Sequence, residues 1–151
     1  MKKIIIMIIG MNLFVHADLS RAGNGIVIDS KTSLQWQDDY TPNNPNIEHV
    51  KWSDAISYCN NLTLGSYSDW RLPNANELLS IVDHTKLRPS ISNVFAYIPN
   101  ERYYYWSSTT FSHSTTSAYY VDFYGGALGY GYYSKDDKRS SRYVRCVRAG
   151  Q

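Results

Sequence analysis

The chain contains only two cysteines, Cys59 and Cys146, and the relation between them constrains the fold more than any other pair of residues. If they are bonded, the middle of the chain is tied to its end across more than half of the sequence. A disulfide over so long a loop stabilises a fold by up to roughly 4 to 5 kcal/mol in the chain-entropy model. The alternatives are two buried free thiols or a catalytic cysteine. Neither cysteine has a histidine close by in sequence or a CxxC partner, which argues against catalysis.

The amino-terminal residues favour the disulfide. Lys2 and Lys3 precede an apolar run from Ile4 to Val15, and Val15-His16-Ala17 offers a small-residue cleavage site. We interpret residues 1–17 as a secretory signal peptide and residues 18–151 as one exported domain. The apolar run is shorter than the ~20 residues of a membrane-spanning helix, so no membrane span is expected after cleavage. We expect the protein to be secreted, periplasmic or on the bacterial cell surface, where disulfides persist.

The distribution of charge is uneven. The chain has 15 Lys and Arg against 13 Asp and Glu, and two of the basic residues lie in the signal peptide. The exported domain is therefore formally neutral, which gives no support to nucleic-acid binding. Basic side chains nevertheless dominate the end of the chain, after Ser134: they are Lys135, Lys138, Arg139, Arg142, Arg145 and Arg148, against Asp136 and Asp137.

Local patterns predict a hairpin and then two helices. Val27–Asp29 and Leu34–Gln37 are short β-type runs separated by turn residues. Ser53 is a candidate N-cap for a helix, and the apolar positions that follow it share one helical face. Those positions are Ala55, Ile56, Cys59 and Leu62. A second helix is predicted after Pro73, with Asn74 and Glu77 spaced as a capping box and with Leu78, Leu79 and Val82 facing the core.

From Tyr103 onward the pattern favours strands. Tyr103–Ser107, Ala118–Phe123 and Tyr143–Val147 are the strongest β-type runs. Glycines at 125, 126, 129 and 131 predict turns or bulges between them. The last run has Val144 and Cys146 on one face and Tyr143, Arg145 and Val147 on the other, and it is predicted to lie inside a sheet. The sequence therefore predicts an α+β fold with two helices and a β-rich, mostly antiparallel second half.

Four blocks of sequence, in a fixed order, carry a resemblance to a known family. They are Gly25-Ile26-Val27-Ile28-Asp29 with Thr32 and Leu34–Gln37, then Asp69-Trp70-Arg71-Leu72-Pro73-Asn74-Ala75-Asn76-Glu77-Leu78, then Tyr105–Thr109, then Arg142–Arg148. This set resembles the DUF1566 family, also called the Lcl C-terminal (Legionella collagen-like protein C-terminal) domain. The resemblance implies a C-type-lectin-like fold, in which a disulfide joins a helix to the last strand. It also implies adhesin-like behaviour, since the family's namesake is associated with sulfated glycosaminoglycans.

The family blocks themselves are interpreted as scaffold. Asp69, Trp70 and Arg71 precede a helix, where an aspartate can accept hydrogen bonds and a tryptophan can fill space between layers. Trp106 precedes three hydroxyl residues that can satisfy turns. Direct ligand contact by these residues is the alternative.

The stretch from Tyr103 to Ser134 is the first candidate binding surface. Tyr, Ser, Thr and Gly dominate it, as they dominate paratopes, where tyrosine supplies contact area at low entropy cost. The candidate ligand-binding residues are Tyr124, Tyr130, Tyr132 and Tyr133. An ordinary tyrosine-rich sheet surface is the alternative, because tyrosine favours strands.

The basic end of the chain is the second candidate surface. Lys138, Arg139 and Arg142 could collect the sulfates or carboxylates of an acidic polysaccharide. The alternative is a solvated charged face, since Asp136 and Asp137 interrupt the run.

Signals for catalysis and for metals are weak. The sequence has no HExxH and no Gly-x-Ser-x-Gly, and the Asp83-His84 pair stands without a nucleophile pattern. We expect no cofactor and no metal, with calcium as the remaining option because some C-type lectins bind sugars through it. Ile98-Pro99-Asn100-Glu101 imitates the proline-centred loop of those lectins only in part.

These observations predict a non-catalytic, adhesin-like binding domain that recognises an extracellular glycan, sulfated or not, or an envelope or host protein. The alternative from a different class is a structural subunit or interaction module of an envelope or appendage assembly. Both alternatives require an exposed aromatic patch, so the sequence leaves them open.

Overall fold

The computed structural model describes residues 19–41, 49–99, 104–124 and 132–150. The proposed signal peptide, the glycines from 125 to 131 and most of the loop after Asp38 lie outside these residues. The elements in chain order are β1 (Leu19–Ala22), β2 (Ile26–Asp29), β3 (Leu34–Gln37), β4 (His49–Lys51), α1 (Trp52–Asn60), α2 (Ala75–Ser80), β5 (Tyr104–Thr110), β6 (Ser117–Asp122), β7 (Tyr132–Asp137), β8 (Ser141–Tyr143) and β9 (Val147–Ala149).

The strands form two mostly antiparallel sheets. The first has the order β1-β2-β3-β9 and the second the order β4-β8-β5-β6-β7, in which only the β5–β8 pair is parallel. The predicted α+β class, the amino-terminal hairpin and the strands near Tyr104 and Ala118 are confirmed. The C-type-lectin-like assignment stays a prediction. Strands β1, β4 and β7 were not predicted, and β7 carries Lys135, Asp136 and Asp137, which are poor strand formers.

Helix α1 begins two residues earlier than predicted. Lys51 is its N-cap and makes no side-chain capping bond, so the prediction that Ser53 caps the helix was wrong. Strand β4 runs directly into the helix, and the N–H of Trp52 donates to the carbonyl of Lys138 at 3.1 Å. A backbone carbonyl therefore satisfies one of the first-turn N–H groups that have no partner within the helix. The predicted apolar face is confirmed, with Ala55 and Cys59 buried on it.

Helix α2 is capped as the sequence predicts. The Asn74 side chain accepts from the Glu77 N–H at 2.8 Å, and the Glu77 carboxylate accepts from the Asn74 N–H at 2.8 Å. Leu78 is buried, whereas Val82 reaches the core from beyond the end of the helix.

The predicted final strand, Tyr143–Val147, is two strands in different sheets. β8 ends at Tyr143 in the second sheet, and β9 starts at Val147 in the first. The chain crosses between the sheets at residues 144–146, where the backbone of Cys146 exchanges bonds with Gln37 at 2.9 and 3.2 Å. Burial on both faces, which suggested a central strand, arises instead because this crossing lies between the two sheets.

Two hydrophobic clusters and one disulfide hold the layers together. One cluster joins α1 to the second sheet through Trp70, Trp106 and Val144, and the other joins α2 to both sheets through Trp36 and Tyr105. The predicted disulfide between Cys59 and Cys146 is present and ties α1 to the crossing between the sheets.

Candidate recognition face

Three of the family blocks meet in one place, which we call the motif junction: Asp69–Glu77, Trp106–Thr109 and Val147–Arg148. The backbones of Arg71 and Val147 exchange two hydrogen bonds of 2.9 Å. The N–H of Ser108 donates to the carbonyl of Pro73 at 2.7 Å. The hydroxyl of Thr109 accepts from the N–H of Ala75 at 3.1 Å. The blocks are therefore hydrogen-bonded to one another.

The charged side chains of the junction are paired. Arg148 is buried and donates to both carboxylate oxygens of Asp69, at 2.7 and 3.1 Å. Hydrogen bonds from Arg148 lower the pKa of Asp69. Arg71 donates to both oxygens of Glu77, at 2.8 and 2.6 Å. Burial opposes the ionised form of Glu77, but the bonds from Arg71 and the Asn74 N–H outweigh it, and the pKa of Glu77 is lowered. Bidentate pairing fixes the orientation of both partners, so these groups have little freedom to reach a ligand.

The two tryptophans of the blocks are buried. Trp70 donates from Nε1 towards the carbonyls of Leu64 and Tyr67, at 3.3 and 3.2 Å. Trp106 donates from Nε1 to the carbonyl of Val50 at 3.0 Å. Both indoles therefore fill space between layers and have their one polar group satisfied.

Four side chains from neighbouring strands form a half-exposed surface, which we call the tyrosine–arginine face: Tyr104, Tyr120, Asp136 and Arg142. They come from β5, β6, β7 and β8, which are consecutive in the second sheet. Tyr120 pairs with Ser134, so it points to the same side as Asp136, two residues further along β7. The alternation of side chains along strands therefore gathers these residues on one side of the sheet.

The Arg142 guanidinium lies at the centre of this face. Its carbon is 5.4 Å from the ring centre of Tyr104, 5.1 Å from that of Tyr120 and 5.8 Å from that of Trp106. These distances fall within the range of cation–π attraction. The guanidinium also donates to the Asp136 carboxylate and, at 2.7 Å, to the carbonyl of Ser141. The rings of Tyr104 and Tyr120 meet edge to face at 5.4 Å. The face thus combines aromatic surface with a held pair of opposite charges.

The tyrosines singled out from the sequence are dispersed. Tyr124 is exposed and lies under the guanidinium of Arg88 at 4.9 Å. Tyr130 lies outside the described residues. Tyr132 and Tyr133 belong to the backbone of β7, opposite Asp122 and Val121. Their side chains lie outside what the structure describes.

The basic residues singled out from the sequence have separate partners. Arg142 joins the tyrosine–arginine face. Arg139 is exposed and binds Asp137 at 2.7 Å, and these hydrogen bonds lower the pKa of Asp137 to about 2. Lys138 lies over the ring of Trp52 at 3.9 Å and donates to the hydroxyl of Thr110 at 3.0 Å.

Tyr104, Tyr120 and Asp136 were not singled out from the sequence. The two tyrosines lie in predicted strands, and their partnership depends on the register between β5 and β6, which pairs Trp106 with Tyr120. Alternation within β5 could have indicated that Tyr104 shares a side with Trp106, whereas the position of Tyr120 required the register. No sequence signal indicated that Asp136 would sit in a strand beside them.

The described residues contain neither a membrane-spanning helix nor a cluster of metal-binding side chains. In residues 19–41, 49–99, 104–124 and 132–150, no helix has the length and apolar character needed to cross a bilayer. The same residues contain no group of three or more His, Cys, Asp or Glu side chains arranged to hold a metal ion. Asn100 and Glu101, half of the segment considered for calcium, lie outside them.

The architecture defines a disulfide-closed α+β domain whose motif residues form its internal junction and whose second sheet presents an aromatic and charged face. The chain belongs to the Lcl C-terminal domain family, whose model matches residues 25–148. Family membership and the disulfide are consistent with a non-catalytic extracellular domain. A comparison with curated proteins found no match.

Proposed function

We propose that this protein is a non-catalytic, adhesin-like extracellular domain that binds glycans through the tyrosine–arginine face. One observation carries the proposal: the guanidinium of Arg142, which is partly buried, is held among three aromatic rings and beside a carboxylate on one sheet face.

The chemistry of sugars matches this face. The C–H side of a sugar ring packs on aromatic surface, and tyrosine offers a large apolar body with a polar tip. Hydroxyl groups at the edge of the sugar can accept from a guanidinium and donate to a carboxylate, and hydrogen bonds to charged groups are the stronger kind. Because Arg142 and Asp136 already hold each other, little side-chain entropy remains to be lost on binding.

The test is binding of the domain to a panel of immobilised polysaccharides. Tyr120→Ala should weaken binding by about tenfold or more, which corresponds to about 1.4 kcal/mol. Tyr124→Ala is the matched control, since Tyr124 is exposed and lies outside the face. Tyr120→Phe keeps the ring and should retain most of the affinity. Equal loss in the Tyr120→Ala and Tyr124→Ala proteins, with melting temperatures unchanged, would contradict the proposal.

A second candidate function, an interaction module of an envelope assembly, is favoured by a different patch. Leu87 and Tyr124 are the large apolar side chains that are exposed in the described part of the chain, at 67% and 41%. The guanidinium of Arg88 lies 4.9 Å above the Tyr124 ring. Tyr and Arg are the residue types that dominate binding energy at protein interfaces.

The two candidates predict opposite results in the same variants. If a protein subunit docks on this patch, Leu87→Ser and Tyr124→Ala should abolish retention of one envelope protein in a pull-down. Tyr120→Ala should then have no effect. If the domain binds glycans through the tyrosine–arginine face, Leu87→Ser should leave polysaccharide binding unchanged.

A further inference from the structure

We infer that the tyrosine–arginine face takes an uncharged glycan, not a sulfated one. This inference rests on the proposed function and names the class of ligand. It follows from where the structure puts each cation of the basic end of the chain.

Two of the six basic residues after Ser134 are lost from the surface. Arg145 is buried and binds Asp38 at 3.2 Å, while Arg148 is buried and binds Asp69 at 2.7 Å. A buried, paired guanidinium is structural, because removing its partner leaves an uncompensated charge. Neither residue can contribute to a polyanion site.

Two more of these basic residues form ion pairs with neighbouring aspartates. Arg139 binds Asp137, and Arg142 binds Asp136. The two aspartates that interrupt the basic run in the sequence are thus the partners of its arginines. An incoming sulfate beside either arginine would meet a carboxylate within the same pair, and like charges repel.

The remaining cations, Lys135 and Lys138, do not converge. Lys135 pairs with Tyr119 across β6 and β7, which places it on the side of the sheet opposite Tyr120. Its ammonium lies 3.8 Å from the ring centre of Phe111. Lys138 lies over Trp52 instead. Tight binding of a polyanion requires several cations directed at one surface, and these two are held by different rings.

The Arg142–Asp136 pair suits hydroxyl groups. The guanidinium offers only donors and the carboxylate only acceptors, whereas a hydroxyl both donates and accepts. Asp136 accepts from Arg142 and, at 2.7 Å, from the N–H of Asp137, and each carboxylate oxygen can accept more than one bond. A neutral sugar can therefore bond to both members of the pair without separating them.

The experiment compares neutral polysaccharides with their own sulfated derivatives, for example dextran with dextran sulfate within a panel of such pairs. Binding is measured at about 0.01 M and about 1 M salt, where the Debye length is roughly 30 Å and 3 Å. The expected result is binding to at least one neutral member with little dependence on salt. Asp136→Asn and Arg142→Gln should each weaken it by about tenfold or more, while Arg139→Gln and Lys138→Gln leave it unchanged.

Two other outcomes would contradict either the class of ligand or glycan binding itself. Binding confined to sulfated members, lost at high salt and weakened by Lys138→Gln or Arg139→Gln, overturns this inference and leaves glycan binding intact. Absence of binding to every member of the panel, neutral or sulfated, overturns the proposed function together with the inference. Melting temperatures of all variants separate lost binding from lost folding, and Tyr120→Ala provides a second variant that leaves the Arg142–Asp136 pair in place.

Discussion

The motif junction and the tyrosine–arginine face are both built from aromatic rings, arginines and carboxylates, yet they use them differently. In the junction, Arg148 is buried and hydrogen-bonded to Asp69. The indole N–H of Trp70 donates to the carbonyl of Tyr67. On the face, Arg142 is partly buried, and two of the rings around it, Tyr104 and Tyr120, keep part of their surface exposed. The polar groups of the junction are hydrogen-bonded to one another. The face, in contrast, keeps exposed aromatic surface and atoms that can form further hydrogen bonds.

The burial and pairing of these residues support the interpretation that most of the family blocks form a scaffold. The block Arg142–Arg148 divides between the two regions: Arg142 lies on the face, and Arg148 lies in the junction. Stability and recognition should therefore respond to different substitutions, even among neighbouring residues of one block.

The largest expected effect is a loss of stability when a buried residue of the motif junction is truncated. Trp70→Ala should lower the free energy of unfolding by about 3 to 5 kcal/mol, because it empties a buried aromatic site. Chemical denaturation measures the loss. Trp70→Phe is the control that keeps an aromatic ring and should cost less. A Trp70→Ala protein of parental stability that had lost polysaccharide binding would make Trp70 a contact residue and reverse the comparison.

The next effect is that of the disulfide. Cys59→Ser should lower the free energy of unfolding by roughly 2 to 5 kcal/mol, since the bond closes a long loop in the unfolded chain. Mass spectrometry of the non-reduced parent should show no free thiol. Alkylation of both cysteines in the native oxidised protein would contradict the pairing.

A smaller effect concerns pH and Glu77. Its pKa is lowered in the folded protein from an ordinary value of 4.5, so its ionised form stabilises the fold above that pH. This contribution is lost as the pH falls below about 4.5 and through the lower folded value. Glu77→Gln keeps an acceptor for the Asn74 N–H but removes the charge. In denaturation experiments at several pH values, the free energy of unfolding of this variant should fall less steeply with decreasing pH than that of the parent. The same fall in both proteins would contradict the role of the Arg71–Glu77 pair.

The smallest effect is expected at Arg139. Its pair with Asp137 is exposed, and such pairs contribute little to stability because water and salt screen the attraction. Arg139→Ala should leave both the melting temperature and the binding of neutral polysaccharide within error of the parent. A clear loss of binding would show that recognition involves Arg139 and not the tyrosine–arginine face.

Local sequence predicted the parts of the fold that depend on local chemistry. The capping box of Asn74 and Glu77 and the apolar face of α1 follow from spacing alone. The split of the last predicted strand does not, because the residue types at 144–146 suit a strand whether the chain stays within one sheet or crosses between two. The start of α1 was missed for the same reason: the carbonyl that serves its first turn belongs to Lys138, far away in sequence.

The sequence predicted the types of residue in the candidate site but not which individual residues form it. Composition indicated that tyrosines and basic residues matter after Tyr103, and the structure brings one such arginine, Arg142, together with tyrosines. Which tyrosines join it is decided by strand order and register, and Tyr104 and Tyr120 reach Arg142 because β8, β5 and β6 are adjacent. Strand order is a long-range property that composition does not carry.

We propose that recognition belongs to the tyrosine–arginine face and that the motif junction is scaffold. The most direct measurement is a titration of the isotope-labelled domain with an oligosaccharide of the polysaccharide that it binds, followed through backbone amide chemical shifts. The account predicts that the largest shifts occur at Tyr104, Tyr120, Asp136 and Arg142. Largest shifts along Asp69–Glu77, with the face unperturbed, would contradict it.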